Sequence, residues 1–349
     1  MTEARVARKT GWLVSWVAAI IAAAVALSSC AKPVGPAATA PATGAAPVVK
    51  MSIAYSEIVF SNLPLWVAKE SGIFEKNSLD VDLQQISSSN AIAALLSGQV
   101  QAAHAGGSEA LSANLSGADL EIVGVVGGVY PYYLMAQPSI KTIDDLRGKK
   151  IGVSQPGSSS DIATRTALKA NGIDPDKDVT IVPVGSLANR TAALLSGAID
   201  AGLDNPPGSI KQEAQGLHAL IDLAAQKLPA SNNTIVMQRS FVDGNKDAVQ
   251  RYVDSIMQAM AKVRNDRAYA VQILKQYYQS DDDAAMNATY DFLLETMPDQ
   301  PFPSTDQFKD VLDQLQAKGQ PATEADVTKM ITTSFVQNAV DRKVGANVS

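Results

Sequence analysis

The chain has 349 residues, with 29 Lys and Arg against 35 Asp and Glu and a formal charge of −6 at pH 7. With no basic cluster beyond the first ten residues, this balance argues against nucleic acid as a partner. One cysteine and two histidines exclude a disulfide framework and leave no ligand spacing for a metal.

The chain opens on Arg5, Arg8 and Lys9, followed by an apolar run over 12–27 and then Leu27-Ser28-Ser29-Cys30. Charge, apolar core and small residues in that order are the layout of a secretory leader. The tetrad resembles the bacterial lipobox, which implies a signal peptide over 1–29 and a lipidated Cys30 as the new N-terminus. The alternative is an uncleaved signal anchor, for which the apolar run is short of the ~20 residues of a spanning helix. Two acyl chains on Cys30 suffice for stable anchoring. From Cys30 to 48 the chain is Ala, Pro, Thr and Gly with little charge, a tether between membrane and folded domain. The remaining ~300 residues suffice for two lobes.

In the folded part, a strand is predicted over 51–55, a helix over 63–71 stopped by Gly72-Ile73, and an alternating strand over 81–86. A short helix over 89–97 ends at Gly98, the expected left-handed residue after a helix, and a strand follows over 100–105. The plan then repeats. Asn90-Ala-Ile-Ala-Ala-Leu-Leu-Ser-Gly98 returns as Asn189-Arg-Thr-Ala-Ala-Leu-Leu-Ser-Gly197, about 99 residues later. That period is too long for a solenoid and indicates two similar lobes. The second lobe reads as strand 150–154, helix 161–171, strand 179–184, helix 187–196 and strand 199–203. Strands alternating with such helices give an α/β architecture, each lobe a mostly parallel sheet flanked by helices. Strands over 132–136 and 234–239 bracket the second lobe and read as the two crossings. The first lobe is then discontinuous, 49–135 plus 236–349, around a second lobe of 136–235. The tail is helical over 248–264, 268–278, 283–297, 306–316 and 324–337, and is expected to pack back on the first lobe.

Ligands of open parallel sheets bind beyond the carboxyl ends of the strands, where helix N-termini also point. The loops expected there are Ser56-Glu57 with Asn62, Ser88-Ser89-Asn90 and Gly106-Gly107-Ser108 in the first lobe. In the second they are Gly157-Ser158-Ser159-Ser160, Gly185-Ser186 with Asn189, and Asp204-Asn205. Small hydroxyl and amide side chains add donors, and glycines admit close approach. The bland reading of each Ser or Asn is an ordinary helix cap. Tyr130, Tyr132 and Tyr133 near the first crossing either stack on a ligand or pack the hinge. His104 reads as a core histidine and His218 as a structural residue on a helix. Asp281-Asp282-Asp283 reads as a solvated helix start. The free backbone donors before 161 suggest an anionic group on the ligand, while Glu57 and Asp204 keep a zwitterion open. No catalytic residue and no cofactor is expected.

With these residues placed, the chain resembles the type II periplasmic solute-binding proteins of the nitrate, sulfonate, taurine and thiamine-precursor group, the NMT1/THI5-like proteins. The resemblance rests on Leu65-Trp66-Val67-Ala68-Lys69-Glu70-Ser71-Gly72-Ile73-Phe74-Glu75-Lys76, Ala94-Leu95-Leu96-Ser97-Gly98, Ile143-Asp144-Asp145-Leu146-Arg147-Gly148-Lys149-Lys150-Ile151-Gly152-Val153, Gly157-Ser158-Ser159-Ser160 and Val327-Thr328-Lys329-Met330-Ile331. It implies a two-lobed clamp, exported and monomeric, that closes on a small-molecule solute and hands it to an ABC permease and its ATPase. Leu203-Asp204-Asn205-Pro206 departs from the family's habit of an aromatic before Asp-Pro, so no ligand is carried over. The rivals are an enzyme on the same fold, such as a pyrimidine-precursor synthase, and a ligand-binding partner of a sensor. The first needs the clustered His and Cys that this sequence lacks.

Overall fold

The structure is a computed structural model and describes residues 47–346. The leader, Cys30 and all but the end of the tether lie outside the described residues.

Among the described residues, ten strands form two five-stranded sheets. The first holds β1 (Val49–Tyr55), β2 (Leu79–Gln85), β3 (Ala102–Ala105), β4 (Leu120–Val129) and β10 (Pro229–Gln238), in the order β2-β1-β3-β10-β4. The second holds β5 (Tyr133–Ala136), β6 (Lys150–Val153), β7 (Thr180–Pro183), β8 (Ala201–Asp204) and β9 (His218–Asp222), in the order β7-β6-β8-β5-β9. The order is the same in both. In each sheet the first three strands of the repeat are parallel, β1 with β2 and β3, β6 with β7 and β8. Each sheet then takes one antiparallel strand beside a crossing, β10 in the first and β5 in the second. This is the two-lobed architecture of type II periplasmic binding proteins, with helices flanking both sheets and a helical C-terminal region.

The repeated helices start and stop as their residues dictate. Ser88–Leu96 and Leu187–Leu195 each run into a left-handed glycine, Gly98 at φ +78° and Gly197 at φ +72°. The Leu187 helix is capped by Ser186, whose hydroxyl accepts the Asn189 N–H at 3.2 Å. The Ser159–Ala170 helix is capped by Ser158, which accepts the Asp161 N–H.

Several elements depart from expectation. β4 is an apolar run interrupted by glycines, which masks its strand character in the sequence. β10 starts at Pro229, upstream of the expected 234, and pairs with β4 along nearly its whole length. A helix at Gly107–Leu115 follows β3 directly. His218 opens β9 and is not on a helix: Leu217 and Ile221 are held in the apolar clusters beneath the sheet, and His218 pairs with Ala136 of β5. The last predicted helix is two, Glu324–Met330 and Ser334–Asp341. Between them Ile331 is extended and bridges Ile122 of β4, and the Thr332 N–H donates to the Ile122 carbonyl at 3.0 Å. Satisfying the edge of β4 outweighs continuing the helix.

The tail packs on the first sheet. Trp66, fully buried on the Leu63–Glu70 helix, stacks on Tyr277 at 4.3 Å between ring centroids. Phe74 stacks on Tyr252 of the long Lys246–Asn265 helix at 5.5 Å. Among the described residues no helix is long and apolar enough to cross a membrane.

Candidate functional site

The carboxyl ends of β1, β3, β6 and β8 face one another across a cleft. Its inner part is a cavity of about 80 Å³ walled by both lobes and by the crossings. That is room for several water molecules, each of which needs about 10–15 Å³. A wider cavity of about 960 Å³ adjoins it and shares Ser56, Glu57, Ser154, Gln155, Leu187 and Asn205. The wider part adds Ile58, Ser87, Tyr277 and Tyr278 from the first lobe and Asp204 and Lys211 from the second.

The first-lobe wall is a hydrogen-bonded sheet of small polar groups. Asn233 of β10 donates through Nδ2 to Ser61 Oγ and Asn62 Oδ1, both at 3.1 Å, and Asn62 Nδ2 donates to the Glu57 carbonyl at 2.9 Å. Tyr132 donates to Asn232 Oδ1 at 3.0 Å and so ties one crossing to the other. Burial pushes the Tyr132 phenol up to about 12, so it is a neutral donor. His104 is buried, with Nε2 2.8 Å from the Tyr252 hydroxyl. Burial lowers its pKa to about 3, and it stays neutral at physiological pH.

The second-lobe wall is organised by Arg190, which is 2% exposed. Its Nε donates to the Leu203 carbonyl and its Nη1 to Ser154 Oγ at 3.1 Å. Among the described residues no carboxylate oxygen lies within 4.0 Å of it. The stem of Arg190 runs over two strand glycines: a Cβ on Gly202 would sit 3.2 Å from its Cγ and Cδ, and one on Gly152 3.5 Å from its Cγ. Asp204 is fully buried but well served, accepting from Thr191 Oγ1 and Gln212 Nε2 at 2.5 Å and from the Asn205 N–H at 2.7 Å. Burial nevertheless pushes its carboxyl up, against the opposing pull of Thr191 and Arg190.

Several contacts join the lobes, among them Ser108 Oγ with Ser159 Oγ at 3.5 Å and Gln314 Nε2 donating to the Ile162 carbonyl at 3.0 Å. The Leu187 N–H donates to Glu57 Oε1 at 3.3 Å, and the Ser159 hydroxyl donates to Glu109 Oε2 at 3.4 Å. Gly106 makes the second approach possible, since a Cβ there would stand 2.1 Å from Ser159 Oγ and 2.2 Å from Glu109 Oε2. Burial raises the pKa of Glu57, Glu109 and Asp204 add to it, and Arg190 and the Leu187 N–H pull the other way.

Of the residues singled out in the sequence, Ser56, Glu57, Asn62, Gly106, Ser158, Ser159, Ser160 and Asn205 line the inner cavity, and Asp204 lines the wider one. Gly107 packs against Ser231 and Phe308 instead, and Ser108 donates to Glu109 at 2.6 Å. Tyr130 donates to Asp310 at 3.1 Å. Gly157 borders a separate cavity of about 230 Å³ beside Gln314. Asn90 and Asn189 are exposed and outside the lining; both are third residues of their helices. Ser88 and Ser89 open the first of those helices. Around the start of the Ser159 helix, Ser158 Oγ takes the Asp161 N–H, Ser160 Oγ the Ser154 N–H at 2.9 Å, and Asp161 Oδ2 the Gly157 N–H at 2.8 Å. Sequence reasoning missed Arg190, Glu109, Ser154 and the Asn232-Asn233 pair. Arg190 had a signal, since it stands where the first copy of the repeat has a core-facing Ala91.

The model of the NMT1/THI5-like family matches residues 60–270. A binding protein of Brucella abortus (strain 2308) is 31% identical over 206 residues, 55% of this chain and 60% of that one. The chain thus spans about 60% of the length of this curated relative. Among solved structures, the alkanesulfonate-binding protein SsuA from Xanthomonas axonopodis pv. citri bound to MOPS superposes with a TM-score of 0.70 at 22% identity, covering 83% of this chain and 100% of that one. The periplasmic nitrate-binding protein NrtA from Synechocystis PCC 6803 gives 0.68 at 17%, covering 84% and 89%. At these identities the two structures establish a shared fold.

Proposed function

The chain belongs to the NMT1/THI5-like family, and from that premise we propose that it is the solute-binding component of an ABC importer. One observation carries the proposal: a small polar cavity walled by both lobes and bridged by cross-lobe hydrogen bonds from Leu187 to Glu57 and from Ser159 to Glu109. Such a cavity exists only when the lobes are together, so solute capture and closure are one event, and the permease with its ATPase reads the closed form. The contacts proposed for the solute are Ser56, Glu57, Asn62, Gly106, Ser158, Ser159, Ser160 and Asn205, with Arg190 as the buried charge between them. The same reading places the protein outside the cell membrane as a monomer, anchored through lipid on Cys30.

A thermal-shift screen of the chain against small polar solutes tests the binding role. A solute at 100 times its Kd stabilises by about 2.7 kcal/mol; a chain that no solute stabilises is not a binding protein of this kind. Cys30→Ser is expected to release the protein from the membrane fraction. Retention of that variant after a salt wash contradicts the lipid anchor.

A further inference from the structure

The buried apolar residues divide unevenly between the two faces of the sheets. Successive side chains of a strand point to opposite faces. On one face Ala54 and Ala103 of the first sheet and Leu134, Ile151 and Ala201 of the second belong to one cluster that runs through both lobes. On the other face the residues separate. Ile53 and Ala102 join the first-lobe cluster with the tail helices, while Met135 joins a small second-lobe cluster with Leu194, Ile199 and Leu217. There the second lobe reaches the first-lobe cluster through half-buried Tyr133 and Ile210 and through Ala224.

The tail helix Lys309–Ala317 lies in the continuous cluster and grips both lobes. On the first lobe Phe308, at its start, is fully buried against Gly107, and Asp310 accepts from Tyr130 at 3.1 Å. On the second lobe Val311, Leu312 and Leu315 share the cluster with Ile162, Ala163 and Ala167 of the Ser159–Ala170 helix. Gln314, 6% exposed, donates to the Ile162 carbonyl at 3.0 Å. The wide cavity opens on the opposite face. Ile58, Tyr277 and Tyr278 bound it on the first lobe, and Leu187, Thr191 and Lys211 on the second. The lobes meet there through the 3.3 Å hydrogen bond from Leu187 to Glu57. Apolar contact resists separation in proportion to the area it buries, whereas a single hydrogen bond exchanges with water at small net cost. The two sides of the cleft are therefore unequally held.

Resting on the reading of the chain as a two-lobed clamp, we propose that the Lys309–Ala317 helix is a strut that keeps hold of the Ser159–Ala170 helix when the lobes part. The clamp then opens on one side, and the solute enters and leaves between Tyr277-Tyr278 and the Leu187–Leu195 helix. Gln314 fixes where the strut grips.

Double electron–electron resonance on the full chain tests the strut, with spin labels on cysteine pairs beside Cys30→Ser, which removes the one native thiol. Gln85→Cys with Lys211→Cys spans the mouth, and Lys169→Cys with Gln316→Cys spans the strut; all four positions are exposed. No solute is needed, since an unliganded clamp samples its open form. The mouth pair is expected to give a broad distribution reaching beyond the closed separation, and the strut pair a single narrow one. Adding Gln314→Ala and Leu315→Ala is expected to widen the strut pair. If the strut pair spreads with the mouth pair in the otherwise native chain, or stays narrow once the contact is removed, the inference is overturned and the clamp stands. If the mouth pair is narrow and stays at the closed separation, the lobes do not part, and the clamp reading falls together with the strut.

Discussion

The two lobes carry the same strand order and the same helix, yet one buried position differs in kind. In the first lobe Ala91 faces the sheet over the cross-strand pair Ala54 and Ala103, and all three are fully buried. In the second lobe Arg190 occupies the matching helix position, over the pair Gly152 and Gly202. Two methyl groups are absent from the strands: the stem of the arginine fills the space at Gly202, and Ile199 fills it at Gly152. The first lobe thus has an ordinary aliphatic layer, while the second threads a charge through its core to the cleft. The carboxylates face the other way, with Glu57 and Glu109 contributed by the first lobe. Duplication produced a symmetric frame, and the site lies in the residues that break the symmetry.

The comparison can be broken most severely by putting an arginine where the first lobe has none. Ala91→Arg buries a charge over Ala54 and Ala103 with no cavity to reach, and a loss beyond about 5 kcal/mol, which is exceptional for one substitution, is expected. Adding Ala54→Gly and Ala103→Gly recovers the overpacking part, about 1–3 kcal/mol, and leaves the charge part. Denaturant unfolding measures both; a freely tolerated Ala91→Arg contradicts the account.

The converse change comes next. Arg190→Ala removes the hydrogen bonds to Leu203 and Ser154 and strips Asp204 and Glu57 of their nearby positive charge. A loss of about 1–3 kcal/mol is expected, the range for leaving a buried acceptor such as the Leu203 carbonyl without its donor. Gly202→Ala crowds the Arg190 stem at 3.2 Å and is expected to cost about 1–3 kcal/mol in the native chain but less beside Arg190→Ala, where the Gly152 carbonyl oxygen at 3.3 Å alone still crowds it. A double-mutant cycle shows whether the glycine exists for the arginine; additive losses mean that it does not.

Much of the frame was legible in the sequence because it rests on local rules. The Leu-Leu-Ser-Gly echo marked the two lobes, and Gly98 and Gly197 marked helix ends that any non-glycine residue would strain. The site was only half legible. Small polar residues after strands pointed to Ser56, Gly106 and Ser158, but the same symmetry misdirected attention to Asn90 and Asn189, which face solvent. Arg190 was hidden because an arginine on an amphipathic helix usually faces water; the missing methyl at Gly202, which is far away in sequence, makes room for its stem. The strand glycines of β4 and the bridge at Ile331 depend on tertiary pairing that local propensity does not carry.

Smaller effects sharpen the division of roles between the lobes. Gly106→Ala places a methyl group within about 2 Å of Ser159 and Glu109 in the closed form. Affinity is expected to fall about tenfold, or 1.4 kcal/mol, with little change in unliganded stability. Equal losses in both would place Gly106 in the fold and not in closure. Glu57→Gln is expected to give the smallest effect on stability, a gain at pH 7. The folded-state pKa of Glu57 lies above its ordinary value, so the native state loses stability as pH rises through it. The gain from Gln must therefore shrink as pH falls toward the ordinary carboxylate range, and a gain independent of pH rules out this origin.

The account stands on closure of two lobes around a solute. Small-angle scattering of the chain with and without the solute found by the screen measures that closure directly. A smaller radius of gyration on binding, absent in Gly106→Ala, is the predicted result. A bound solute that leaves the radius unchanged contradicts it.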